Sequence, residues 1–144
     1  MNRCAAAILL PIALGLTLPA FSAAPAAPAA VLPQLDKPGQ KIPLGGDHYF
    51  IYGFTAPAKM GSAIMRVEIF TRAGQRDTSF AVKGDVDMPA MRGAHSSGPR
   101  PFALSAKGVY LLPVSLVMPG GWEFKFIFER NGQPVFTGIH LFEI

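Results

Sequence analysis

Trp122-Glu123-Phe124-Lys125-Phe126-Ile127-Phe128-Glu129-Arg130-Asn131-Gly132 decides how this chain folds. Four aromatic residues fall on every second position, alternating with Glu123, Lys125, Ile127 and Glu129. A half-buried strand repeats every two residues, whereas a helix repeats every 3.6. Asn131-Gly132 then tolerates the positive φ angles that a tight turn demands, and Val135 to Phe142 returns as a second strand.

The same period runs upstream. Met65, Val67 and Ile69 face one way, Arg66, Glu68 and Arg72 the other, and this predicts a strand over Ile64 to Arg72. Further strands are expected at His48 to Thr55, Phe80 to Met88, Pro101 to Ser105 and Val109 to Val117. Pro113 lacks an amide hydrogen, which assigns the last of these to a sheet edge or a bulge. No segment carries a helical stripe of useful length. The expected fold class is therefore all-β, an antiparallel β-sandwich of immunoglobulin type with about seven strands.

The start of the chain reads as an address. Arg3 is followed by an apolar run from Cys4 to Phe21, and small residues at Ala20, Ser22, Ala23 and Ala24 offer cleavage positions. This is the layout of a secretory signal peptide over residues 1–24, and it places the protein in the periplasm. An uncleaved anchor is the rival reading, because the run approaches the roughly 20 residues that span a bilayer; Pro11 and Pro19 weaken it. Residues 25–44 are Ala/Pro-rich and read as a semi-rigid linker or leading arm, with the folded unit beginning near Gly45 and running to Ile144.

Composition excludes several functions. The chain has one cysteine, Cys4, which leaves with the signal, so disulfides, thiolate metal sites and cysteine nucleophiles are absent from a mature chain of roughly 120 residues. Loss of Arg3 lowers the formal charge from +4 to +3, and the basic residues are interspersed with acidic ones, which does not suit a nucleic-acid-binding surface. There is no Gly-x-Ser-x-Gly elbow, no His-Glu-x-x-His and no phosphate-cradling loop, so an enzyme is not expected. Asp85 and Asp87 share a strand face beside Lys83 and read as a solvated outer surface.

The chemistry-bearing cluster is Met88-Pro89-Ala90-Met91, with His95 beyond it and Met118 at the end of another strand. Fully extended, Met88 and Met91 would lie about 10 Å apart, too far to share one ion. A bend at Pro89 would bring the sulfurs together, and the Gly93 loop would let His95 fold back. Thioethers are soft and persist where thiols oxidise, so such a set suits copper(I), with Asp87 as an acceptor for the second imidazole nitrogen. The competing reading is core filler. Met88 shares parity with Phe80, Val82 and Val86, and Met118 can pack beneath Trp122. His48 reads as a solvated or capping residue, and His140 as a hydrogen-bonded sheet residue.

Pro57-Ala58-Lys59-Met60-Gly61, Asp87-Met88-Pro89-Ala90-Met91, Gly108-Val109-Tyr110 and Met118-Pro119-Gly120-Gly121-Trp122 occur in an order that resembles the YtkA-like/FixH-like domain. That family is a small exported or membrane-anchored bacterial β-sandwich, and the resemblance covers roughly residues 46–144. It implies a periplasmic or cell-surface setting and an association with copper handling or cytochrome oxidase assembly. The chain departs from the family pattern where Arg92-Gly93-Ala94 separates Met91 from His95, and in an N-terminal segment that looks cleavable. Two functions follow as expectations: a periplasmic accessory protein that binds or delivers copper through Met88, Met91, His95 and Met118, or a non-catalytic module that offers an edge strand or loop to a periplasmic partner protein.

Overall fold

A computed structural model describes residues Val31–Ile144, so the signal segment and the first part of the proposed linker lie outside the described residues. The chain forms β1 (Ile42–Gly45), β2 (His48–Phe54), β3 (Gly61–Thr71), β4 (Ala81–Asp87), β5 (Arg100–Pro101), β6 (Ala103–Leu104), β7 (Tyr110–Leu116), β8 (Gly121–Arg130) and β9 (Gln133–Glu143). One sheet has the order β1-β2-β3-β7-β6 and the other β5-β4-β8-β9, with antiparallel pairing throughout. Seven strands have four or more residues and two have only two, which agrees with the expected all-β sandwich.

The alternation seen in the sequence is the alternation of the core. Trp122, Phe124, Phe126 and Phe128 are buried from β8, opposite Phe50, Tyr52, Met65, Val67 and Ile69 from β2 and β3. Phe50 meets Phe128 with ring centroids 4.5 Å apart, and Tyr52 meets Phe126 at 5.0 Å. The inward position of β4 between Val82 and Val86 is Gly84. A Cβ there would stand 2.6 Å from Phe124 and 2.8 Å from Leu112 and Phe102, so only a bare backbone lets these rings close over the strand. The β8–β9 hairpin turns where the sequence placed it, with φ of 51° at Asn131 and 75° at Gly132 between the paired residues Arg130 and Gln133.

Two differences from expectation have clear causes. The strand expected over Pro101 to Ser105 is split: Arg100–Pro101 pairs with β4 and Ala103–Leu104 with β7, so the chain changes sheets at Phe102. Phe102 is the reason, since it turns inward against Phe124 and Phe126 while its amide donates to the Val82 carbonyl at 2.8 Å. The boundary near Gly45 also needs correction. Leu35, Ile42 and Leu44 are buried, and Ile42–Gly45 is a strand of the first sheet. Leu35 fills the hollow over Gly138, where a Cβ would meet its Cδ2 at 2.6 Å, and the Leu35 amide donates to the Ile139 carbonyl at 2.7 Å. The leading residues thus pack along the free edge of β9. Pro113 behaves as its missing hydrogen requires: β7 pairs with β3 along its length, while β6 covers its other side only at Tyr110 and Leu111.

Candidate functional site

The Pro89 bend exists. Pro89–Met91 form a single 3-10 turn, with Pro89 in the first position where its absent donor costs nothing, and the Met91 amide donates to the Met88 carbonyl at 2.9 Å. The bend separates the two methionines by environment. Met88 ends the inward row of β4 and is 5% exposed; a Cβ on Gly120 would lie 3.4 Å from its terminal methyl. Met91 is on the outside, 39% exposed.

His95 is half-buried, its ring centroid 6.2 Å from that of Trp122. Met118 is also half-buried and packs on the core, and its carbonyl accepts the Trp122 indole N–H at 3.1 Å. Met88 thus reaches Gly120, and His95 and Met118 each contact Trp122, while the Met91 side chain lies on the outer side of the turn, joined to Met88 through its backbone amide. Among the described residues, no three His, Cys, Asp or Glu side chains are grouped as a metal site, so any metal held here would rely on the thioethers.

Asp87 does not orient the imidazole as expected. Its oxygens accept the backbone amides of Met88 at 2.8 Å and Gly93 at 3.0 Å. The Gly93 amide is the main reason its carboxyl lies below the usual carboxylate range; partial burial opposes the shift, and the Met88 amide and the Arg92 charge add to it. Asp85 is likewise engaged, accepting the Ser96 and Ser97 hydroxyls at 3.1 and 3.2 Å. Ser97 reaches back to β4, its hydroxyl accepting the Val86 amide and its own amide donating to the Val86 carbonyl. The face read as solvated is covered by the loop that follows it.

The side chain that sequence reasoning missed is Glu123. It is 8% exposed, and Arg92 meets it with two parallel hydrogen bonds of 3.0 Å each. Parity correctly turns Glu123 away from the core, but nothing in a separation of 31 residues marks Arg92 as its partner.

A shallow cleft of about 520 Å³ adjoins the turn, lined by Pro89, Ala90, Trp122, Leu141, Phe142 and neighbouring backbone. The other two histidines are committed elsewhere. His48 is paired with Asp77 at 2.9 Å rather than solvated. His140 accepts or donates a 3.0 Å hydrogen bond with the Tyr52 hydroxyl, as a sheet histidine should, and burial lowers its pKa.

No protein family model matches this sequence, and no curated protein sequence matches it either. The resemblance to the YtkA-like/FixH-like domain thus stands on motif order alone. Solved structures do share the fold. Uropathogenic Escherichia coli FetP, recombinantly expressed in the periplasm, superposes with a TM-score of 0.55 at 9% identity, covering 74% of this chain and 93% of FetP. A DUF4426 family protein of Pseudomonas aeruginosa gives 0.52 at 17% identity, covering 73% and 96%. A copper-bound variant of FetP gives 0.51 at 9% identity, covering 72% and 97%. At these identities the likeness is one of fold.

Proposed function

We propose that this chain is an exported, non-catalytic accessory protein of the periplasm that carries copper(I) at the Gly120–Trp122 end of the sandwich. The observation behind the reading is that His95 and Met118 both meet Trp122 at that end, in a domain without cysteine, with Met91 exposed on the same loop as His95. Met91, His95 and Met118 are at least partly accessible, whereas Met88 is buried in the core and would reach an ion only if the turn moved. Soft thioether sulfur prefers copper(I) to the harder divalent ions, and a neutral imidazole completes a set that, unlike thiolates, is not lost to disulfide formation. A copper-bound sandwich of the same fold supports the reading through shape rather than shared residues.

The test is anaerobic copper(I) competition against a chromogenic chelator. Met91→Leu and His95→Gln should each weaken binding about tenfold or more, whereas Met60→Leu, at a methionine 58% exposed outside the turn, should leave it unchanged. Wild-type protein that fails to compete, or variants that bind as tightly as wild type, would sink the copper reading. The apolar cleft beside Pro89, where Leu141 is 44% exposed, would then favour the second reading, a module that binds a periplasmic partner protein.

A further inference from the structure

The loop that carries Met91 and His95 has little core of its own. Met91, Arg92, Gly93 and Ala94 are exposed, as are Ser96 and Ser97, and His95 is half-buried. Such a stretch, with glycines at Gly93 and Gly98 in the left-handed region, would sample many conformations unless polar contacts fixed it. The contacts are there: beside the Ser97 bonds to the Val86 backbone, three carboxylates on the outer face of the β4–β8 pair hold the loop. Asp87 fixes the start through the Met88 and Gly93 amides, Asp85 fixes the end through Ser96 and Ser97, and Glu123 fixes the middle through Arg92.

These anchors differ in strength. Asp85 is only half-buried and its serine partners are exposed, so water competes for each bond. Glu123 is almost fully covered and faces Asp87 across the β4–β8 ladder, one residue from Trp122. A covered carboxylate with a two-pronged guanidinium partner fixes both the distance and the plane of the contact. Arg92 follows Met91 directly and precedes His95 by three residues, so this contact sets where both donors stand relative to Trp122 and Met118.

We infer that Glu123, acting through Arg92, is a positioning residue for Met91 and His95: it holds the loop in the arrangement that admits a soft cation. The inference rests on the copper(I) reading above and adds to it a residue that contributes no ligand atom. Outer partners of this kind typically change metal affinity when removed, even though the ligands themselves are intact.

Three variants test it: Glu123→Gln, Arg92→Ala and the double variant, each in the full mature chain. Glu123→Gln keeps the size of the side chain, and Arg92→Ala alters an exposed loop position, so either one gives a folded comparison. Copper(I) affinity should fall about tenfold in each single variant, and the double variant should be no weaker than either single, as expected when two groups act as one unit. Amide hydrogen exchange of residues 89–97 should quicken in all three, with the melting temperature of the sandwich little changed.

If wild type binds copper(I) but both single variants bind equally tightly, the positioning role is wrong and the copper reading survives. Losses that simply add in the double variant would overturn the coupling through Arg92. Wild type that binds no copper(I) ends both, and the exchange rates then report a loop clamp with no metal to position.

Discussion

The two ends of the sandwich are built on different physics. At one end the His95 ring and the Met118 carbonyl meet Trp122, and carboxylates are engaged in tying down the Met88–Gly98 loop. At the other, charged side chains pair with one another around Phe80. His48 meets Asp77 at 2.9 Å, Arg72 meets Asp47 at 3.0 Å, and the Arg130 guanidinium lies 5.0 Å from the Phe80 ring centroid. One end spends its charge on positioning a loop and leaves soft donors near the surface; the other neutralises its charge locally. A candidate site is therefore legible at the first end and not at the second.

The largest expected effect tests whether each end hangs on its aromatic residue. Trp122→Ala should destabilise the domain by about 3–5 kcal/mol, and Phe80→Ala by an amount near the lower limit of that range. Trp122 is 1% exposed and Phe80 7%, and Arg130 remains over the second site. Urea denaturation with an unchanged slope would measure both. A Phe80 loss exceeding that of Trp122 would reverse the ranking.

A smaller effect tests whether the charged end depends on its ion pairs. Asp77→Ala removes the His48 contact and the hydrogen bond to the Ser79 amide, and should cost about 1 kcal/mol, whereas Asp47→Asn in an exposed pair should cost about half of that or less. Equal losses at the two positions would mean that burial does not separate them. The Asp77 carboxyl is pushed up by burial, but the Ser79 and His48 hydrogen bonds outweigh this and hold its pKa below 3.8. Its stabilisation is thus complete above that value and is lost as the pH falls through the lower folded pKa.

The smallest effect lies between the ends, at Tyr52 and His140. Burial lowers the His140 pKa below 6.5, and the unfolded chain has no such burial. The unfolded state therefore takes up its proton first as pH falls. Stability contributed by the neutral imidazole is present above 6.5 and declines toward the folded pKa, below which the decline ends. The urea midpoint should drop between pH 7.5 and 5.5 in wild type and drop less in His140→Gln. Equal drops would assign the pH response to another group.

What could be read in the sequence was whatever repeats. Trp122 to Phe128 and Met65 to Ile69 carry enough period-two signal to fix both strand and face, and Asn131-Gly132 fixes the turn between β8 and β9. The sheet change at Phe102 was hidden, because strands of two residues contain no period. The burial of Leu35, Ile42 and Leu44 was hidden by the prolines around them, whose composition reads as a linker. At the candidate site, the Pro89 bend followed from local chemistry. The Arg92–Glu123 contact did not, since it joins residues whose proximity is made only by the folded sheet.

The packing of Leu35 over Gly138 bears on how the molecule behaves in a crowd. An outermost strand with free amides and carbonyls invites a stranger's backbone to continue the sheet. Here part of that vacancy is filled from within, by the protein's own first described residues. A shortened chain beginning at Lys41 would keep β1 and the rest of its interior yet lose this self-supplied shield, and self-association is the fault it should develop.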